Sequence, residues 1–556
     1  MVEQRGEQVD DIDSYSTEDW FLQAQELVPI AVNKAKEVKG FPGRWKVIVS
    51  KIEQIPSCLS DLSSHPCFSK NALCKEQLQA VSETLEQAID LTELCRKERY
   101  EGKLRMQSDL DALSGKLDLN LRDCKLLIKT GVLGESTFPL NVSDTVKQGN
   151  DVRELFARLQ IGDLEAKHRA IDSLVEAMKE EEKSVMSVLG RSQIASLVQM
   201  LMATSPRIRE KAVTVICSLA ESGNCENWLL YEGVLPPLIR LVESGGSLGK
   251  EKAAICLQRL SMSEESTREI VGHGGVRPLI ELCENGDAVS QSAAACSLKN
   301  ISAVPEVRQA LAQEGIVKTM INLLDHGILL GSKEYASECL QNLTSSNVNL
   351  RRSVISEGGA KSLLAYLDGP LPQESAVTAL RNLVGSIGER DLISLGLLPR
   401  LIHVINSGSS GAQQAAVTAI CRVLISSEMK KMVAEAGFIP LLIKMLEAKS
   451  NSAREVAAQA IASLMTVTQN RREVRRNDKS VPNLVQLLDP SPHNAAKKYA
   501  ISCLCSLSSS RKCKKLMIAY GAIGYLKKLK EMDIPGAKML LDRLERGKLR
   551  SLFIRK

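Results

Sequence analysis

The sequence predicts an all-α protein, an N-terminal four-helix bundle followed by a solenoid of stacked three-helix units. Three observations predict it. A glycine recurs about every forty-one residues, each time five positions before an apolar residue. An alanine-led apolar motif recurs in register with it, some twenty residues further on. The first 150 residues share neither pattern and instead step between apolar positions by threes and fours. A fixed period of this length signals a repeat array, and alternating steps of three and four signal amphipathic helices.

Residues 1–17, opening MVEQRGEQVDDID, are polar and acidic and are expected to be disordered. The bundle is expected over 18–131. Trp20, Ala24, Leu27, Ala31 and Val38 share one helical face, and Trp45, Ile48, Ile52, Ile55, Leu59 and Leu62 share a second. Leu78, Val81, Leu85 and Ala88 mark a third helix. Met106, Leu110, Leu113, Leu117, Leu121, Cys124 and Ile128 mark a fourth. Gly40 and Gly43, the Ser-Ser-His-Pro at 63–66 and Gly102 separate them. Four such faces suit a bundle. A linker is expected over 132–150.

The repeats are expected over 151–556, in about nine or ten units. Gly233, Gly274, Gly315, Gly358, Gly396, Gly437 and Gly521 precede Leu238, Leu279, Met320, Leu363, Leu401, Leu442 and Leu526 by five residues. Ser192 and Lys479 fill the same slot in two further units, and the successive spacings are 41, 41, 41, 43, 38, 41, 42 and 42. The second motif reads AVTVICSL from Ala212, AAICLQRL from Ala253, AACSLKNI from Ala294 and ASECLQNL from Ala336. It continues as AVTALRNL from Ala376, AVTAICRV from Ala416, AAQAIASL from Ala457 and AISCLCSL from Ala500, with a fainter copy, AIDSLVEA, from Ala170. Apolar residues at i, i+4 and i+7 form a buried helical stripe, and the alanine lets a neighbouring helix approach closely. Each unit therefore reads as a short helix, a glycine bend, a second helix, a loop and a longer third helix. No single unit can bury its own apolar face, so stacked neighbours must share one core. The last unit, from Gly521, departs from the motif and is expected to cap the stack.

One stretch imitates a phosphate-binding loop. SGGSLGKEKAAICLQRL, Ser244 to Leu260, is glycine-rich and carries Gly249-Lys250 before an apolar pattern. A phosphate loop needs a glycine five residues before that pair and a hydroxyl directly after the lysine. Ser244 and Glu251 stand there instead, and a carboxylate repels phosphate. The equivalent segments ENGDAVS, DHGILLGSKE, DGPLPQE, NSGSSGA, EAKSNSA and DPSPHNA share the position and none of the chemistry. Ser244–Lys250 is expected to be the loop between the second and third helices.

Composition narrows the function classes. Aromatics make up 3% of 556 residues, which suits many similar helix packings. No run of eighteen apolar residues occurs, so no membrane span is expected. The polar start is not expected to be a signal peptide or presequence. With Val2 after the first methionine N-myristoylation is not expected, nor is prenylation with RSLFIRK lacking a cysteine. The 15 cysteines are scattered, with no C-x-x-C pair, and Cys217, Cys256, Cys296, Cys339, Cys421 and Cys503 fall on apolar helical faces. Unpaired buried thiols indicate a reducing compartment, and no zinc site is expected. The formal charge of +6 is uneven: Arg471–Lys556 holds 21 Lys and Arg against 7 Asp and Glu, a net +14, which leaves −8 on the first 470 residues. His168, His273, His326, His403 and His493 fall at unrelated repeat positions, and no nucleophile, paired-carboxylate or metal set accompanies them. The expectation is no enzyme, no cofactor and no metal.

The paired motifs, a glycine before the second helix and A-x-x-A-L-x-N-L in the third, resemble the armadillo repeat over about 151–556. The resemblance implies a right-handed superhelical solenoid whose third helices line a concave groove for partner proteins. The bundle, notably LCRKERYEGKLRMQSDLDALSGKLDL, resembles the N-terminal domain of plant U-box/armadillo ubiquitin ligases. A U-box would follow in those ligases, but 132–150 is too short for one, and Phe138-Pro139-Leu140 lacks the Cys-Pro that should come next. The whole chain thus resembles U-box-lacking plant armadillo proteins of the vacuolar-protein-8-like type.

Under that resemblance the positions two and six after each repeat alanine face the groove. The sixth is Asn300, Asn342 and Asn382 in consecutive units, flanked by Arg259 and Arg422. Asparagine offers a donor and an acceptor, so a ladder of them would hold an extended peptide or helix without reading its sequence. The alternative is that these amides bond only to neighbouring loops. Importin-α pairs each such asparagine with a tryptophan two residues after the alanine, but here Cys296, Glu338 and Thr378 stand there, so a basic nuclear signal is not the expected cargo. The basic end comprises Arg471, Arg472, Arg475, Arg476, Arg511, Lys512, Lys514 and Lys515, which would suit an acidic partner, an anionic membrane, nucleic acid or a nuclear-import signal, or stand as a solvated face. The leading expectation is a non-enzymatic adaptor, cytoplasmic with the nucleus as a further location. A substrate-recruiting part of a ligase assembly and a binder of anionic membrane or nucleic acid are the other classes considered.

Overall fold

The computed structural model describes residues 15–96, 102–130, 132–133, 145–161, 164–180, 182–223, 225–370 and 373–553. The acidic opening, the middle of LCRKERYEGK, Phe138-Pro139-Leu140 and 554–556 lie outside these residues. Contacts gather the chain into two units, Met1–Ala253 and Ala254–Lys556. Among the described residues no helix is long and apolar enough to cross a membrane.

The first unit begins with Thr17–Lys36, Pro42–Ile52, Ile55–Ser63, Ala72–Arg96 and Lys103–Lys129. The second expected helix is therefore two. Pro56 has no N–H to give and its ring would meet the carbonyl of Ile52, so the chain breaks at Glu53-Gln54 and Pro56 opens a new helix in its first turn. Ser16 starts the first helix: its Oγ accepts from the Asp19 N–H at 3.2 Å, and Asp19 Oδ2 accepts from the Ser16 N–H at 2.8 Å. Trp20, Ala24, Ile48, Ile52, Leu59, Leu62, Leu78, Leu85, Leu110 and Leu117 form one apolar core. Helix Thr145–Ile161 joins it through Ala157, and Arg158 on that helix pairs with Glu76 at 3.0 Å. Leu164–Glu180, Arg191–Met200, Pro206–Glu221 and Leu235–Ser244 follow, with motif alanine Ala212 fully buried.

Helix Ser247–Leu260 corrects the loop expected at Ser244–Lys250. Only Gly245 and Gly246 connect it to Leu235–Ser244, so Gly249 and Lys250 lie in its first turn. The Gly245 N–H donates to Leu241 O at 2.9 Å, and a Cβ on Gly245 would stand 2.5 Å from that same oxygen. The glycine is there because backbone passes over backbone. Gly327 and Gly408 repeat the contact on Leu323 O and Val404 O.

In the second unit the three-helix order recurs. Glu264–Gly272, Val276–Asn285 and Ala288–Ala303 form one repeat; Arg308–Gln313, Ile316–His326 and Leu330–Ser346 form the next. Gly274, Gly315, Gly358, Gly396, Gly437 and Gly521 have φ between 70° and 93°, the left-handed turn that glycine adopts without strain. Lys479, in the same slot, has φ −83°, so its repeat turns without a left-handed residue. Third helices pack on third helices: Ala288–Ala303 on Leu330–Ser346, then Glu374–Leu383, Ser410–Val423, Asn451–Leu464 and Lys497–Leu507. Ala294, Ala336, Ala376, Ala416, Ala457 and Ala500 have no exposed surface. Helix Ala537–Phe553 covers the last of these with Leu540, Leu541 and Leu544 buried. Cys296, Cys339 and Cys503 are buried and unpaired, and burial pushes the thiols of Cys339 and Cys503 up to about 12.

Candidate functional site

The third helices of the second unit carry the asparagines. Asn300 Nδ2 lies 3.3 Å from Gln258 O and 3.0 Å from Ser261 Oγ. Asn342 Nδ2 lies 3.4 Å from Lys299 O and 3.0 Å from Ser302 Oγ. A carbonyl can only accept, so the NH2 of each amide must face the preceding third helix, and both its hydrogens are used there. The hydroxyls in turn donate to Gln258 O at 2.9 Å and Lys299 O at 2.7 Å. Asn300 and Asn342 are half-buried, and no described residue donates to either Oδ1. These side chains thus join consecutive repeats with their donors and keep an acceptor over.

Asn382 differs. Only 6% exposed, it reaches Thr344 Oγ1 at 3.3 Å while its Oδ1 takes Arg381 Nη2 at 3.4 Å. Arg422 stands one repeat further on and does the asparagines' structural work, with Nη1 2.7 Å from Arg381 O. The rest of its guanidinium is exposed, as is Arg259.

Charge along this face is uneven. Lys299 pairs with Glu338 at 3.5 Å, and its ammonium lies 5.7 Å from the Tyr335 ring centroid. Arg381 is half-buried, and its Nε has no hydrogen-bond partner. Burial first, and then the Arg422 charge, hold the Arg381 guanidinium below its ordinary pKa. Residues two and six after the alanine do not include Arg381, which sits at five. The signal that finds it is the comparison of Lys299 with Arg381, lysine and arginine at one repeat position.

The basic end divides by role. Arg472, Arg475 and Arg476 are exposed on Thr468–Arg476, and Arg511, Lys512 and Lys515 are exposed on Arg511–Ala519. Lys514 is half-buried, and Lys512 lies 3.6 Å from Asp478. Glu473 lies among these arginines; burial raises its carboxyl pKa, and Arg476 opposes the rise. Arg471 serves the fold, since its Nε donates to Met465 O at the end of a third helix at 3.2 Å. Arg351 does the same at Thr344 O, 2.8 Å, and Arg308 at Ser302 O, 2.7 Å. A cation here completes carbonyls at the negative end of the helix.

Residues 263–303 and 426–466 match the family described as armadillo/β-catenin-like repeat, and both matches begin at a serine that caps a first helix, Ser263 and Ser426. Residues 22–132 match a family described as a domain of unknown function, DUF7032. A comparison with curated proteins finds no match. Among solved structures, the crystal structure of an engineered protein covers 71% of this chain and 98% of its own at 22% identity, with a TM-score of 0.61. A designed armadillo repeat protein covers 41% of this chain and 99% of its own at 22% identity, with a TM-score of 0.39. With stacked third helices, left-handed hinge glycines and two repeat-level matches in register, the chain is an all-α protein built on armadillo repeats.

Proposed function

We propose that the chain is a non-catalytic adaptor that holds an extended segment of a partner protein along the third helices of its second unit. The observation that supports this most is the pair Asn300 and Asn342. Each is fixed by its NH2 to the repeat before it, and each keeps a carbonyl oxygen without a donor among the described residues. Such acceptors, one repeat apart, suit the N–H groups of an extended backbone, which is held through its main chain rather than its sequence. Asn382 belongs to the packing, and Arg259 and Arg422 supply exposed donors at either end. Buried unpaired thiols suit a reducing compartment, the cytoplasm or nucleus.

The test uses the chain's own solution at Arg422. Asn300→Arg and Asn342→Arg together keep a donor for the preceding helix and remove both free acceptors. Affinity purification from native tissue with mass spectrometry compares this variant with wild type at matched thermal midpoints. Partners lost from the variant alone support the reading; identical partner sets end it.

The exposed arginines and lysines of Thr468–Arg476 and Arg511–Ala519 support a second, separate contact, with an anionic surface. Binding there would weaken steeply with added salt. Salt-independent retention on anionic vesicles or nucleic acid would count against it.

A further inference from the structure

Lys299 and Arg381 hold the same place in their repeats, five residues after Ala294 and Ala376. Lys299 has a counter-charge: Glu338, two residues after Ala336 on the next third helix, 3.5 Å away. The matching position on the helix after Arg381 is Thr418, two residues after Ala416, and its hydroxyl turns back to Gln414 O at 2.8 Å. Arg381 therefore stands where its counterpart has an acid, and has a neutral residue instead. Its Nε is buried without a partner. The charge beside it is of the same sign, because Arg422 bonds to the Arg381 carbonyl at 2.7 Å. Among the described residues no ion pair neutralises either guanidinium.

Such an arrangement works against folding, since a partly desolvated cation next to a like charge has lost water and gained no counter-charge. We propose that Arg381 and Arg422 receive a carboxylate side chain from the partner's segment, which supplies at this repeat what Glu338 supplies to Lys299. The proposal rests on the third helices being the protein-binding face, and it names the partner's chemistry as an acidic peptide. Two adjacent guanidinium forks match the paired oxygens of a carboxylate. The Glu338 precedent at the same repeat position is what selects carboxylate over phosphate.

The experiment supplies the carboxylate from within. A library of random dodecapeptides is displayed and panned against the full chain, and enriched peptides are measured by fluorescence anisotropy. Peptides enriched in Asp or Glu are expected. Thr418→Glu, which places a carboxylate where Glu338 has its counterpart, is expected to weaken them at least tenfold and to raise the thermal midpoint. Thr418→Gln is expected to do neither. Arg381→Met is expected to lose the same peptides while also raising the midpoint, because a merely structural arginine would lower it. Enriched peptides without acidic residues, or acidic peptides bound equally by Thr418→Glu, overturn the proposal. So does a phosphoserine version of the best peptide binding tenfold tighter than its glutamate version. If acid-free peptides bind and are lost from the Asn300→Arg, Asn342→Arg chain, this inference falls while the adaptor reading stands. If wild type enriches nothing, both fall.

Discussion

The side-chain amide of Asn342 donates at 3.0 Å to the hydroxyl of Ser302, forty residues earlier, and Ser302 passes its own proton to Lys299 O at 2.7 Å. Asn342 reaches that carbonyl as well, closing a triangle that Asn300, Ser261 and Gln258 repeat one unit before. At these two junctions consecutive repeats are therefore joined by a polar clasp near the end of the third helix, where the apolar stripe gives out.

The clasp predicts coupling. Ser302 is fully buried, so Ser302→Ala leaves one Asn342 hydrogen without its acceptor, at a cost of about 1 kcal/mol. Asn342→Ala removes a donor from both the hydroxyl and the carbonyl, which stay bonded to each other. Because both changes break one network, the double variant should cost less than the two single costs combined, by roughly 0.5 kcal/mol or more. A double-mutant cycle in urea measures this, and strict additivity would show that no clasp exists.

Arg308 should be among the most sensitive charged side chains of the second unit. It is 8% exposed and donates to Ser302 O at 2.7 Å, Ala303 O at 2.9 Å and Ser345 Oγ at 2.8 Å. Arg308→Met leaves buried carbonyls unsatisfied and is expected to cost about 3 kcal/mol. Arg308→Lys should recover less than half of that, because one ammonium does not span acceptors on two helices. A lysine variant as stable as wild type would mean that charge at the helix end matters and the fork does not.

The glycines fall into two kinds that unfold differently. Gly315, at φ +92° with open space around it, should lose about 1 kcal/mol as alanine, the ordinary cost of a left-handed residue. Gly245→Ala should lose more, because Leu241 O occupies the place of the new methyl. Lys479→Gly should also lose stability, by about 0.5–1 kcal/mol, since φ −83° needs no glycine and the substitution only frees the unfolded chain. Thermal midpoints rank the three; a stabilising Lys479→Gly would contradict the turn seen at that repeat.

These residues also mark how far the sequence could be read. Hinge glycines and motif alanines were legible because each satisfies a local demand, a left-handed turn or a flush surface, that recurs at a fixed period. Pro56 was legible in principle, and the continuous apolar face from Trp45 to Leu62 hid it by running through the break. The use of the Asn300 amide was not legible. Its partners lie thirty-nine and forty-two residues away, and only the approach of two third helices decides which end of the amide is occupied. The state of Arg381 is not legible for the same reason: its lack of a counter-charge is a property of Thr418 on another helix.

Asp123 supplies a pH test in the N-terminal bundle. It is buried, and burial raises the carboxyl above its ordinary value, although Arg122 at 3.0 Å and the charges of Arg122 and Lys167 pull it down. A carboxyl whose folded pKa exceeds its unfolded one binds protons better in the folded state. It therefore favours folding below the unfolded value, near 3.9 for an aspartate, and that contribution is lost as pH rises through the folded value. Asp123→Asn removes the charge whose burial is unfavourable while keeping an oxygen for Arg122. The variant should melt higher than wild type at neutral pH, the gap should narrow as pH falls through the raised pKa, and it should close below the ordinary carboxylate range. Thermal melts across that range decide the sign. If Asp123→Asn melts lower than wild type at neutral pH, the ion pair with Arg122 outweighs burial, and the aspartate is held ionised as a structural partner.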